Sequence, residues 1–405
     1  MIPTAVLRLG AERRVASGHA WVFSNELHSP VTDLPPGGAV AVRDARGRFL
    51  GLGHANPASL IAVRILSRDP RDDLDSVDFY AERLAQAWQA RRLLLPGRES
   101  LRVVAGDADG LSGLVVDRYA PAGAEQGDGA VLSVQLTSLG MERRRELLAQ
   151  ALQRVLSPAG AILRGDVSVR SLEGLPQQVE DWFGAVPEQV LIAEGPARFR
   201  VDPRQGQKTG FFLDQVDNRA WAAARAGGAR VLDVYAHTGA WAVQALLAGA
   251  SSAVAIDASD RACAMIQAHA RDNGLADRLQ VIQGDARVAL QELAARGERF
   301  DLVSLDPPAF AKTRKAAAPA LKAYRQVNRL GMALVRPGGL LFTSSCSHHI
   351  HEERFQEQVA LAAQDLGRPA RIVRRGEQGP DHPVHPAMPE TRYLKHLVLH
   401  LEQGA

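Results

Sequence analysis

"RVLDVYAHTG", residues 230–239, is an apolar run that carries one aspartate, Asp233, and then breaks into a polar loop ending on Gly239. Four further segments share its texture: "SAVAIDAS" (252–259), "LQVIQGDA" (279–286), "FDLVSLDPP" (300–308) and "GGLLFTSSC" (338–346). Short apolar runs bounded by turn residues read as buried strands, and the segments between them, such as "DRACAMIQAHARDNG" (260–274), have helical spacing. Strands alternating with helices imply a doubly wound, mostly parallel sheet. A Rossmann-like domain is therefore expected over residues 193–405.

In such a sheet the ligand lies outside the carboxyl ends of the strands, near the point where strand order reverses. Acidic residues collect there: Asp233 in the first strand, Asp257 closing the second, Asp285 the third and Asp306 the fourth. A dinucleotide would require GxGxxG and a triphosphate a Walker loop; "AHTGAW" offers only Gly239. Carboxylates in place of glycines suit a ligand without phosphates, carrying an amino group, a ribose diol and an adenine. S-adenosylmethionine has that chemistry, with Asp257 accepting from the ribose hydroxyls and Asp285 from the adenine amine. Each aspartate alone is equally readable as a turn former or helix N-cap. Four at consecutive strand ends favour a ligand rim.

Outward from this core, residues 1–72 read as a small β-barrel, with period-2 stretches broken by Gly, Pro and Asn in "GGAVAVRDARGRFLGLGHANPASLIAVRIL" (37–66). "RDPRDDLDS" (68–76) reads as a linker. The domain over residues 73–192 opens with apolar residues at helical spacing in "VDFYAERLAQAWQARRLLL" (77–95). Residues 101–192 return to strands, "LRVVAGD", "LSGLVVDRY", "AVLSVQL" and "GAILRGD", around a helix near "MERRRELLAQALQRVL", with "PAGAEQGDG" (121–129) as a surface loop. The whole is a multidomain α/β chain: barrel, central α+β domain, Rossmann-like domain. Its 405 residues are 46% hydrophobic and 23% charged, as in ordinary globular proteins, and no apolar run approaches the roughly 18 residues needed to span a bilayer. "MIPTAVLRLGAERR" lacks the features of a signal peptide, so a cytoplasmic location is expected. A charge of +3, with arginine far exceeding lysine, permits nucleic acid without demonstrating it.

The chain has two cysteines, too few for a disulfide framework and without zinc spacing. Cys263 lies mid-helix, where packing explains it. Cys346, in "LLFTSSCSHHI" (340–350), ends a strand on the same rim as Asp306. A free cysteine is commonly a buried small hydrophobe. The serines beside Cys346 argue otherwise, since burying them would need partners. His348, His349 and His351 invite a metal, but adjacent histidines diverge and no carboxylate or cysteine completes a site, so none is expected.

"VLDVYAHTGAWAVQAL", "AIDASDRACAMIQAHARDNGL", "GDA" and "SLDPPAF" resemble the ordered motifs of class I methyltransferases. "KTGFFLDQVDNR" (208–219) resembles a cofactor-covering motif, "GHAWVFSNEL" the opening of a PUA domain, and "SSCSHH" and "DHPVHPAMPETRYLKHLVLHL" late motifs of one subfamily. Together they resemble the bacterial 23S rRNA cytosine-5 methyltransferases over nearly the whole chain. The resemblance implies S-adenosylmethionine as cofactor, held by Lys208, Phe212, Asp214, Asp233, Ala236, Thr238, Gly239, Asp257, Asp285 and Asp306. It implies 23S rRNA or a large-subunit assembly intermediate as partner, with Arg8, Arg13, Arg14 and His19 as candidates for phosphate contact. A homodimer is compatible with the sequence and not required by it.

Cytosine carbon 5 is a poor nucleophile until a thiolate adds at carbon 6. That chemistry casts Cys346 as nucleophile and Asp306 as the partner of the base's ring nitrogen or amine. Lys312 or a protonated histidine would favour the thiolate. In amine-directed enzymes an aromatic residue directly follows Asp-Pro-Pro, whereas here Ala309 does and Phe310 comes one later. A guanine-directed rRNA methyltransferase on the same scaffold would not need Cys346, and a non-catalytic ribosome-assembly factor would need neither Cys346 nor Asp306.

Overall fold

The computed structural model describes residues 2–28, 30–124, 128–311 and 313–403. Lys312 and part of the 121–129 loop therefore lie outside the described residues. The chain divides into two units: Met1–Ile192 with Val201–Leu213 and Pro380–Arg392, and Ala193–Arg200 with Asp214–Gly379 and Tyr393–Ala405.

The first unit opens with a five-stranded sheet of β1 (Thr4–Val6), β2 (Trp21–Phe23), β3 (Ala39–Arg43), β4 (Phe49–Ala55) and β5 (Ile61–Ser67), in the order β1-β3-β4-β5-β2. Leu7, Val22, Val40, Val42 and Val63 fill its interior. A second five-stranded sheet follows: β6 (Leu101–Ala105), β7 (Leu114–Tyr119), β8 (Val131–Leu136), β9 (Gly160–Arg164) and β10 (Val179–Gly184), ordered in sequence. Helices Val77–Leu94 and Arg145–Leu156 cover it with Leu84, Leu148 and Leu152, and Ala41, Leu52 and Leu66 of the first sheet join the same core. Buried Glu173 takes Arg64 at 3.0 Å and also accepts from Asn56 and Ser59, so the stretch beginning at "RDPRDDLDS" connects two layers that share interior contacts.

After a hairpin of β11 (Val190–Glu194) and β12 (Ala197–Val201), the second unit is built on seven strands: β13 (Arg230–Val234), β14 (Ser252–Asp257), β15 (Leu279–Gln283), β16 (Phe300–Leu305), β17 (Val335–Ser345), β18 (Ala370–Gly376) and β19 (Lys395–Leu401). Their order is β15-β14-β13-β16-β17-β19-β18. The first five are parallel, and β19 enters antiparallel between β17 and β18. Near-continuous apolar runs such as Val231–Val234 are what strands covered on both faces require. Strand order reverses between β13 and β16, where Val234 faces Leu305. The switch point therefore falls at "YAHTG" and "DPP".

Candidate active site

The backbone builds one side of this switch point. Tyr235 and His237 both hold positive φ, 61° and 52°, and Gly239 follows at 70°. Such conformations are costly for residues with side chains and persist where surroundings enforce them. Gly239 is required twice over, because a Cβ there would stand 2.8 Å from Ile266 Cγ2. The loop is tied down by Ala236 N–H donating to Ile256 O at 3.0 Å and His237 N–H donating to Asp257 Oδ2 at 2.8 Å. Asp257 Oδ1 accepts from Ser259 N–H at 3.0 Å. Buried His269 closes against the Thr238 carbonyl at 2.8 Å.

Asp233 lies beneath this loop with no exposure to solvent. Ala242 N–H donates to its Oδ2 at 3.2 Å, and its Oδ1 has no hydrogen-bond partner among the described residues. Burial, with the like charges of Asp306 and Asp257, pushes its pKa up to about 8. A buried carboxyl oxygen without a protein partner, at the carboxyl end of the central strand, is where a ligand's ammonium or hydroxyl finds an acceptor. The site thus fits S-adenosylmethionine. Asp285 also has a local role: as N-cap of helix Ala286–Ala295 its Oδ1 accepts from Arg287 N–H at 2.9 Å and Val288 N–H at 3.3 Å. Slight burial works against its charge, but these bonds outweigh it and hold the carboxyl below its usual range.

Side chains build the opposite edge. Asp306 Oδ2 accepts from Gln215 Nε2 at 3.0 Å, and the same amide reaches Ser344 Oγ at 3.1 Å. Asn218 orients Gln215 through a 2.8 Å bond to its carbonyl, and Ser344 meets His396 Nδ1 at 2.9 Å. Burial, then Arg374, lowers the His396 pKa to about 3, so the ring is neutral at physiological pH. Burial also opposes the charge of Arg219, yet its ion pair with Glu194 at 2.5 Å, reinforced by Asp214 and Asp306, raises its pKa. Asp214 itself accepts from Tyr393 Oη at 2.7 Å. Lys208 and Phe212 belong to the other unit, where the ammonium sits 4.2 Å from the ring centroid.

Cys346 follows β17 and is partly exposed, whereas Ser345 and Ser347 are fully buried. The flanking serines do not keep the segment at the surface, as their polarity suggests. Ser345 Oγ donates to Tyr324 Oη at 3.0 Å, and Ser347 Oγ lies 2.9 Å from the same phenol and takes Ala311 N–H at 3.3 Å. Lys395 Nζ donates to the Ser347 carbonyl at 2.7 Å. Desolvation by the groups packed around its ring, then Lys395 and His349, depress the His348 pKa although the residue keeps an exposed face, which argues against that histidine as the cation beside the thiol. His351 stands at the N-cap position of helix Glu352–Asp365 without a side-chain capping bond, and Glu352 and Glu353 lie in the first turn. Phe310 packs against Tyr324 at 4.8 Å between centroids. Cys263 is buried, and burial raises its pKa.

In the first unit, two residues proposed for phosphate contact are engaged by the protein itself, Arg14 half-buried and His19 buried. Arg14 donates to both carboxylate oxygens of Glu26 at 2.9 Å and to the Trp21 carbonyl, and His19 is 3% exposed beside Arg14. Arg8 remains exposed with its Nε on the Leu27 carbonyl, and Arg13 is exposed.

Comparison with known proteins bears on both units. Residues 6–68 match a PUA-like domain, and residues 124–398 match the S-adenosylmethionine-dependent methyltransferase family. Ribosomal RNA large subunit methyltransferase I of Aeromonas hydrophila is 36% identical over 96% of this chain and 97% of its own length. The protein of that name from Pseudoalteromonas atlantica is 35% identical over 98% and 99%. Among solved structures, a SAM-dependent methyltransferase from Streptococcus mutans superposes with a TM-score of 0.81 at 20% identity, covering 99% of this chain and all of that one. A methyltransferase complexed with SAH superposes at 0.83, also at 20% identity, with the same coverage. Among the described residues no helix is long and apolar enough to cross a membrane.

Proposed function

The chain belongs to the S-adenosylmethionine-dependent methyltransferases, in the family of ribosomal RNA large subunit methyltransferase I, and on that premise we propose that it methylates carbon 5 of a cytosine in 23S rRNA by covalent thiol addition. The observation that carries the proposal is Cys346: a partly exposed thiol held between two locked serines, on the sheet edge where Asp306 stands. A cysteine kept for packing would be the buried member of that trio.

The bound cofactor supplies an electrophilic methyl group. On this reading Asp233, Ala236, Thr238, Gly239, Asp257 and Asp285 hold it on the sheet side, with Asp214 nearby in the same unit. Lys208 and Phe212 are assigned to it by motif resemblance alone. The Cys346 thiolate adds to carbon 6, and the electron pair displaced toward carbon 5 makes that atom nucleophilic. Asp306, its carboxylate fixed by Gln215, meets the ring nitrogen or amine of the base as charge builds there. Carbon 5 takes the methyl group, loses its hydrogen as a proton to a base, and the thiolate is eliminated. The base must be unpaired or flipped to present this face. The proposal divides the chain at residues 72 and 192 and gives residues 1–72 to RNA, either 23S rRNA or a large-subunit assembly intermediate in the cytoplasm.

Incubation with 23S rRNA containing 5-fluorocytidine tests the mechanism, because fluorine cannot leave as a proton does and the adduct is trapped. A covalent complex that needs cofactor and is lost in Cys346→Ala is expected. No adduct with the unaltered protein, or an equal one with the variant, would remove Cys346 from the mechanism.

A further inference from the structure

A thiol titrates near 8.5 unless its surroundings favour the thiolate. The groups arrayed around Cys346 are Tyr324 from helix Ala317–Leu334, His348 and His349 from its own turn, Tyr393 beside His348, Asp306 at the end of neighbouring β16, and Lys395 from β19. Burial raises the Tyr324 pKa, so the phenol is neutral at physiological pH. Asp306 opposes a second negative charge. Lys395 is the group in this set that favours one.

Its placement is specific. Lys395 pairs with Ser345 across the β17–β19 ladder, while its Nζ donates to the carbonyl of Ser347. Lys395 is thus tied to the residues on both sides of Cys346, by its backbone to Ser345 and by its ammonium to Ser347. It is 8% exposed, so water screens its charge poorly. A buried ammonium that serves only packing would be an expensive choice against a hydrophobic side chain of the same length. We infer that Lys395 is a positioning residue for the nucleophile, holding the Cys346 turn through the Ser347 carbonyl and stabilising the thiolate electrostatically. The inference rests on the proposed role of Cys346.

The pH dependence of Cys346 alkylation by iodoacetamide in the full-length protein tests this without RNA or cofactor. Peptide mapping scores Cys263 separately as an internal reference. The unaltered protein should alkylate with a midpoint below the ordinary thiol value of about 8.5. Lys395→Gln keeps a donor for the Ser347 carbonyl but removes the charge. It should move the midpoint up by about one unit, a roughly tenfold lower rate near neutrality, and lower kcat with little change in KM for the cofactor. Lys395→Arg should restore most of the shift. An unmoved midpoint in Lys395→Gln overturns the inference. Should that variant fail to fold, a midpoint at or above 8.5 in the unaltered protein overturns it equally. A depressed midpoint together with no 5-fluorocytidine adduct would leave Lys395 its electrostatic role and refute the methylation mechanism instead.

Discussion

The two edges of the switch point are held by different means. After β13, "YAHTG" is fixed by backbone: three positive φ values, the Ala236 and His237 amides donating to Ile256 and Asp257, and a glycine without room for a Cβ. After β17, the Cys346 turn is fixed by side chains arriving from elsewhere, Tyr324 from a helix and Lys395 from an antiparallel strand. A backbone-built edge offers one shape and fits the binding of an unchanging cofactor. A side-chain-built edge can be tuned electrostatically one group at a time, which suits a nucleophile whose protonation state matters.

If the edges are separate devices, variants should divide cleanly between them. The largest effect is expected for Cys346→Ala, with methyl transfer down about ten-thousand-fold and cofactor affinity by calorimetry unchanged; weakened affinity would mean the edges are coupled. Gly239→Val should do the reverse, weakening cofactor binding by at least about tenfold and costing roughly 1–3 kcal/mol of stability, while the Cys346 alkylation midpoint stays put.

The edges should also titrate in opposite directions. Asp233 ionises near 3.8 when unfolded but near 8 when folded, so its contribution to stability is complete below 3.8, declines as pH rises, and is gone above about 8. The His396 pKa is lowered from 6.5 to about 3, so its contribution is present above 6.5 and declines as pH falls toward 3. Asp233→Asn should therefore remove a fall in the unfolding midpoint as pH rises from 3.8 to about 8, and His396→Asn a fall as pH drops from 6.5 to about 3. Matching profiles for the two variants would contradict both assignments. Tyr324→Phe should have the smallest effect: about 1 kcal/mol of stability from the lost serine bonds and a several-fold loss of kcat, read by urea unfolding and turnover.

This contrast also explains what could be read from the sequence. Gly239 and the strand-end aspartates are local signals, since each acts within a few residues of its own strand, and the parallel sheet follows from apolar runs alternating with helices. Asp285 shows that the signal has two readings at once, because the same residue at a strand end also caps the helix that follows. Tyr324 lies 21 residues before Ser345, and Lys395 lies 48 after Ser347, distances at which no spacing rule pairs them. A lysine at the mouth of the apolar run "HLVLHL" was the available hint of a buried cation. Gln215 lay inside a recognised motif without a role, because only the fold brings it to Asp306. Arg14 and His19 are phosphate-contact candidates by sequence, since nothing in the sequence pairs Arg14 with Glu26.

β19 is the seventh strand of its sheet to be synthesised, yet it lies inside the sheet, between β17 and β18. Until the ribosome has released residues 395–401, β17 is an open edge and β18 has no neighbour. A nascent chain, or one cut short before Lys395, would expose an apolar strand ladder to other chains, inviting aggregation or chaperone capture. The same strand delivers Lys395 to the Cys346 turn, so the thiol cannot acquire its cationic neighbour before the sheet is finished.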